Sequence, residues 1–128
     1  MRLKHFSLAF GQQVLKALAD ESRLRILHLI LRNREMCTSD LEQVLDYTQT
    51  KTSRHLSYLR SAGLVVPRKL DQWVYYSLKE ETADLVNQIF TYMERDSILQ
   101  KDLEVYNILY SNRELAVTRL QNRRWTAS

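Results

Sequence analysis

Between Thr48 and Gly63 the chain carries both ends of a helix, and this short stretch dictates what must surround it. The Thr48 hydroxyl can accept from an orphaned backbone N–H at a helix start, and Gly63 suits the left-handed residue that ends one. At helical spacing Thr52, Leu56 and Leu59 form a narrow apolar stripe that has to pack against something else. Lys51, Arg54, His55 and Tyr58 share another face, while Gln49, Thr50 and Ser53 project from the first turn. Such a helix can enter a DNA major groove with amide, hydroxyl and guanidinium groups leading, which is what reading base edges requires. The same residues also describe an ordinary solvated face, so the neighbouring segments decide between the two.

Just upstream, Ser39-Asp40-Leu41-Glu42 has the spacing of a capping box, and Leu41, Val44 and Leu45 give a short apolar face. A small helix is expected there. Asp46-Tyr47-Thr48 separates it from the next helix by a turn too short to let the two drift apart, which predicts a helix-turn-helix pair. In such a pair the first helix braces the second, and the N-terminal residues of the second meet the bases.

Two more helices are expected before this pair. From about Phe6 to Ala19, Phe10, Val14, Leu15 and Leu18 lie on one face with Leu8 and Ala17 nearby. Asp20 can cap a second helix that runs to Arg32 or Asn33, with Leu24, Leu27, Ile30 and Leu31 at core spacing and His28 at the edge of the core. Asn33-Arg34-Glu35 reads as a polar break.

After Gly63 the period changes. Leu64-Val65-Val66 and Trp73-Val74-Tyr75-Tyr76-Ser77-Leu78 are rich in strand formers, and Arg68 to Gln72 lies between them. The expectation is a two-stranded hairpin with Arg68 and Lys69 at its tip and Asp71 taking a positive backbone angle in the turn. From Thr82 the helical period returns through Leu85, Val86, Ile89, Phe90 and Met93. A last helix capped by Asp96 presents Leu99, Leu103, Tyr106 and Tyr110, widened by Val105, Leu109, Val117 and Leu120. Terminal amphipathic helices on so small a chain point to burial against a second copy, an isologous dimer. The basic tail from Arg119 is expected to fray.

Composition limits the alternatives. Only two glycines and one proline occur in 128 residues, which favours a helix-rich single domain with no linker for another. A single cysteine, Cys37, rules out an intrachain disulfide and a multi-thiolate zinc site within one chain. No apolar run approaches the roughly 18 residues of a membrane span, and no signal-peptide core follows the N-terminus, so a cytoplasmic location and no membrane partner are expected. The net charge of +4 and pI near 9.3 lean mildly toward polyanions. No glycine-rich phosphate loop, metal-ligand cluster or nucleophile with an adjacent base is present, so an enzyme is not expected.

Three runs, Leu18-Ala19-Asp20-Glu21-Ser22-Arg23-Leu24-Arg25-Ile26-Leu27, Ser53 through Val65, and Arg68-Lys69 with Trp73-Val74-Tyr75-Tyr76, closely resemble the ArsR family of winged-helix repressors. The likeness spans about Leu8 to Glu94. It implies a mainly α fold with a two-stranded hairpin, a winged helix-turn-helix; residues 1–128 are expected to form this one domain, and the extra C-terminal helical segment at 97–124, read from its own periodicity, lies beyond the resemblance and is longer than many members of the family have. It further implies a homodimeric regulator of transcription, a repressor that binds a palindromic operator in double-stranded DNA and answers to an unidentified small effector. By the same resemblance Gln49, Thr50, Ser53 and Arg54 are the reading residues, Lys51, His55 and Arg60 contact the DNA backbone, and Arg68 and Lys69 are the basic residues of the wing. The first helix and the one after the wing then form the dimer, which places Phe10, Val14, Leu85, Ile89, Phe90 and Met93 at its interface. A protein-interaction module on the same scaffold, with little specific DNA binding, is the alternative.

The departures bear on the effector. Arsenic-sensing members carry two cysteines in the stretch that resembles Glu35-Met36-Cys37-Thr38-Ser39-Asp40-Leu41, and here the second is Ser39. Zinc-sensing members place Asp and His ligands on the helix after the wing, and 82–95 contains no histidine. No metal site or cofactor is therefore expected, and Cys37 remains a lone thiol that could at most act as a sensor, alone or with His5. Asp71 stands where the family's wing commonly turns on glycine.

Overall fold

The computed structural model describes residues 5–110. In chain order these form α1 (Leu8–Leu18), α2 (Glu21–Asn33), β1 (Glu35–Cys37), α3 (Thr38–Leu45), α4 (Gln49–Ser61), β2 (Val65–Leu70), β3 (Trp73–Leu78), α5 (Glu80–Tyr92) and α6 (Ser97–Tyr110). The helix starts follow the side chains able to cap them. Ser7 accepts from the Phe10 N–H at 3.1 Å, Asp20 from Arg23 at 3.0 Å, Thr48 from Lys51 at 3.1 Å, and Asp96 from both Ile98 and Leu99. α4 ends as expected. Gly63 takes a φ of 85°, and the Leu64 N–H reaches back to the Leu59 carbonyl at 3.0 Å.

α2 is the centre of the molecule. Ile26 to Ile30 are all fully buried, because α1, α4, α5 and α6 surround this helix together with β1 and β3. A one-sided core face was expected here, with His28 at its edge; His28 is instead completely enclosed. Its ring lies 5.2 Å from that of Phe90 on α5, its Nε2 accepts from Arg32 at 3.4 Å, and its Nδ1 has no partner. α1 is also rotated from the expected face: Val14, Ala17 and Leu18 are buried, but Leu15 is 63% and Leu8 89% exposed.

The sheet has three strands where two were expected, in the order β1-β3-β2, all antiparallel. Arg34, with a φ of 71°, turns the chain out of α2, and Glu35, Met36 and Cys37 pair with Ser77, Tyr76 and Tyr75. This strand also displaces the capping box. α3 starts at Thr38 behind Cys37 with no side-chain cap, and the Ser39 hydroxyl lies 2.9 Å from the Cys37 Sγ. At the far end of the hairpin β2 pairs with β3 as far as Leu70 and Trp73, so the tip is Asp71-Gln72, and Asp71 takes the positive angle with a φ of 55°. Arg68 and Lys69 lie within the strand rather than at the tip.

α6 folds back over α2 and α3 of its own chain, so much of its apolar face is covered internally rather than by a second copy. Polar contacts tie it down as well. Asp102 is 2% exposed and both its oxygens accept from the Arg25 guanidinium, at 2.9 and 2.8 Å. The Tyr110 hydroxyl donates to Asp40 on α3 at 2.9 Å. Val117, Leu120 and the basic tail lie outside the described residues. Among the described residues no helix is long and apolar enough to cross a membrane.

Candidate DNA-binding surface

α4 divides as its sequence does. Thr52, Leu56 and Leu59 are buried, and the Thr52 hydroxyl spends its donor on the Thr48 carbonyl at 2.9 Å, which removes it from the outer face. Gln49, Thr50, Ser53, Arg54, Ser57 and Arg60 are exposed. α3 packs against α4 across the turn at Asp46, whose φ of 57° reverses the chain between them. The buried Thr82 hydroxyl donates to the Gly63 carbonyl at 2.9 Å and fastens the other end of α4 to α5. The outer face is thus held by two caps, a bracing helix and a buried hydrogen bond, so its donors are presented on a rigid element.

Three of the basic residues expected on this surface are not free cations. The Lys51 ammonium sits 3.9 Å from the Tyr47 ring centroid, and Lys51 is half-buried. His55 is half-buried near Asp20 and Arg23. Burial holds its pKa below the ordinary histidine value and Arg23, Arg54 and Lys51 add to that, against an opposing pull from Asp20. It is therefore a neutral donor or acceptor at neutral pH. Arg68 reaches across β3 to Glu35 on β1 at 2.6 Å, which neutralises much of the expected wing charge. Arg54, Arg60 and Lys69 form no ion pair among the described residues.

Two contributors escaped the sequence. Lys16, at the end of α1, lines a groove of about 580 Å³ with Arg54, Ser57 and Tyr58 of α4, so α1 extends the basic surface. Arg23 stacks 4.1 Å over Tyr58 and donates through Nε to the Ala17 carbonyl at 2.7 Å, which locks the ends of α1, α2 and α4 together. Lys16 reads as an ordinary solvated residue in sequence; only the crossing of α1 and α4 reveals it.

Of the residues expected at a dimer interface, Val14 and Phe90 are fully buried within the chain, and Phe10 is half-buried against Gly63. Val14 and Phe90 thus belong to the core of their own chain, and Phe10 packs partly buried against it. Leu85, Ile89 and Met93 are half-buried, and on α1 and α5 the large apolar side chains left outside are Leu8, Leu15 and, at 92% exposed, Tyr92. Cys37 is buried beside Ser39, and among the described residues no group of three or more His, Cys, Asp or Glu could hold a metal ion.

A braced helix with a polar outer face, followed by an antiparallel hairpin and packed on a central buried helix, is the winged helix-turn-helix class. Residues 20–66 match the model of the bacterial regulatory protein, arsR family. The chain is 45% identical over 74 residues to the arsenic resistance transcriptional regulator ArsR1 of Pseudomonas putida, covering 58% of each protein. It is 37% identical to the arsenical resistance operon repressor of Bacillus subtilis over 55% of this chain and 67% of that one. It therefore belongs to the ArsR family. Its fold is similar to the homodimeric winged helix-turn-helix DNA-binding domain from Mycobacterium bovis, a possible ArsR-family regulator, with a TM-score of 0.63 and 30% identity over 68% of this chain and 81% of that one. The match spans little more than half the length of the first of these relatives. The proteins it matches are regulators of transcription rather than enzymes.

Proposed function

We propose that the chain is a sequence-specific DNA-binding regulator of transcription, a repressor that works in the cytoplasm as a homodimer on a palindromic operator. The observation that carries this reading is the outer face of α4: Gln49, Thr50, Ser53 and Arg54 stand exposed on a helix capped at both ends and braced by α3. These four are the base-reading set. Lys16, Lys51, Arg60 and Lys69 contact phosphates, Arg68 does so only by leaving Glu35, and His55 acts as an uncharged donor. The dimer is closed by Leu8, Leu15 and Tyr92 with the exposed edges of Leu85, Ile89 and Met93. The homodimeric state of the winged-helix domain from Mycobacterium bovis supports a dimer. An arsenic effector is not part of the reading, because Ser39 stands in place of the second thiol and is already hydrogen-bonded to Cys37.

The test is an electrophoretic titration on a duplex selected by the wild-type chain and on a mixed-sequence duplex. Arg54→Ala is expected to weaken the selected duplex by about 1 to 3 kcal/mol and to narrow the gap between the two. Lys69→Ala should weaken both alike and lower the salt slope by about 0.9. Equal binding of both duplexes by the wild type would instead favour the protein-interaction module.

A further inference from the structure

Tyr47 lies in the three-residue turn of the helix-turn-helix and looks, in sequence, like a spacer. Its ring is where two cations from different helices meet. The Lys51 ammonium of α4 sits 3.9 Å from the ring centroid, and the Arg25 guanidinium of α2 lies 5.6 Å from it. Arg25 is in turn gripped through two hydrogen bonds by Asp102 of α6, which is buried. The series Asp102, Arg25, Tyr47, Lys51 therefore runs from α6 to the first turn of α4.

Two like charges beside one ring repel unless one is compensated. Asp102 supplies that compensation for Arg25, so Arg25 and Lys51 can both lie against the ring. A free lysine loses considerable rotamer freedom when it settles on a phosphate. One already parked on an aromatic face has met much of that cost before DNA arrives, while its remaining N–H groups stay available to an oxygen acceptor. Tyr47 itself touches no base in this scheme; it acts through Lys51.

We infer that Tyr47 is a positioning residue for DNA binding: its ring holds the Lys51 ammonium at the leading end of α4, and α6 holds the ring through Arg25 and Asp102. The inference rests on the reading of α4 as the DNA-binding helix. It gives α6 a role in DNA affinity without a DNA contact of its own.

The experiment is a double-mutant cycle on the full chain, with a mixed-sequence DNA duplex as the probe across a salt series. Lys51→Met should weaken binding and lower the salt slope by about 0.9. Tyr47→Leu should weaken binding roughly two- to tenfold, about the worth of a cation held on a ring. Tyr47→Phe, which keeps the ring, should bind as the wild type does. Combined with Lys51→Met, Tyr47→Leu should cost nothing more. Asp102→Asn should weaken binding by itself but not on top of Tyr47→Leu. Proton NMR supplies a readout independent of DNA: ring current should shift the Lys51 ε-methylene upfield, and the shift should vanish in Tyr47→Leu and shrink in Asp102→Asn. An unshifted methylene in the wild type overturns the inference, as does a Tyr47→Leu penalty that persists alongside Lys51→Met. If the wild-type chain retains no duplex even at low salt, the DNA-binding reading falls and takes the inference with it; if it binds and the cycle shows no coupling, the inference alone falls.

Discussion

Replacing Asp102 by alanine removes one half of a buried ion pair and leaves the other in place. The Arg25 and Asp102 side chains are 24% and 3% exposed, and their contact is bidentate, at 2.9 and 2.8 Å. A guanidinium keeps its proton at any ordinary pH even without its partner, so Arg25 cannot escape the loss by becoming neutral. Breaking a fully buried pair from one side costs about 3 to 5 kcal/mol, most of it from the stranded charge. Water can reach a quarter of Arg25, which puts the expected loss at the lower end, about 3 kcal/mol. For a chain of this size that lowers Tm by about 10 °C. Thermal and urea unfolding at pH 7 and one fixed protein concentration measure it, and the deficit should persist in high salt because the pair is scarcely screened. Removing both charges together, Arg25→Met with Asp102→Leu, should restore stability to within about 1 kcal/mol of the wild type or beyond it. A loss below about 1 kcal/mol for Asp102→Ala, or a double variant no better than the single one, would refute the assignment of this pair as the anchor of α6.

Two further outcomes follow from the same geometry. Gly63→Ala should cost about 1 to 2 kcal/mol, since the residue keeps a φ of 85° and its new Cβ would lie 3.0 Å from the Phe10 ring; Tm measures it, and an unchanged Tm would mean that the α4 cap is not held as described. His28 makes stability fall in mild acid. Burial, with help from Arg32, holds its folded-state pKa below 6.5, so the unfolded chain takes up a proton first; the protein is most stable above about pH 6.5 and loses stability as pH drops below it. His55 is shifted the same way, so His28→Leu should flatten the Tm profile between pH 7 and 5 in part rather than wholly.

What could be read from the sequence was local. Thr48, Asp20 and Asp96 each announced a helix start because capping is settled by one side chain and its next three residues, and Asp71 announced its turn for the same reason. The hidden features depend on distant partners. β1 is three residues long, too short for an alternating pattern, and exists only because Tyr75, Tyr76 and Ser77 lie beside it. Once formed, it keeps Cys37 extended and removes the capping box expected at Ser39. Asp102 looks like a solvated charge on α6 until Arg25, 77 residues earlier, is brought against it. The faces of α1 and α5 were blurred for a related reason. Periodicity finds the apolar side of a helix but not which neighbour covers it, so Val14 and Phe90 went to the core while Leu8 and Leu15 turned outward. On α4 the exposure of Gln49, Thr50, Ser53 and Arg54 was legible, but the half-burial of Lys51 and His55, like the partner of Arg68 on β1, needed the fold.

The most direct test of the central claim, that paired α4 helices read successive major grooves, is hydroxyl-radical footprinting of the wild-type chain on a duplex it has selected. Two protected patches on one face of the duplex, centred about 34 Å apart and related by a dyad in the selected sequence, are predicted. A single patch, or protection that follows no sequence at all, would contradict it.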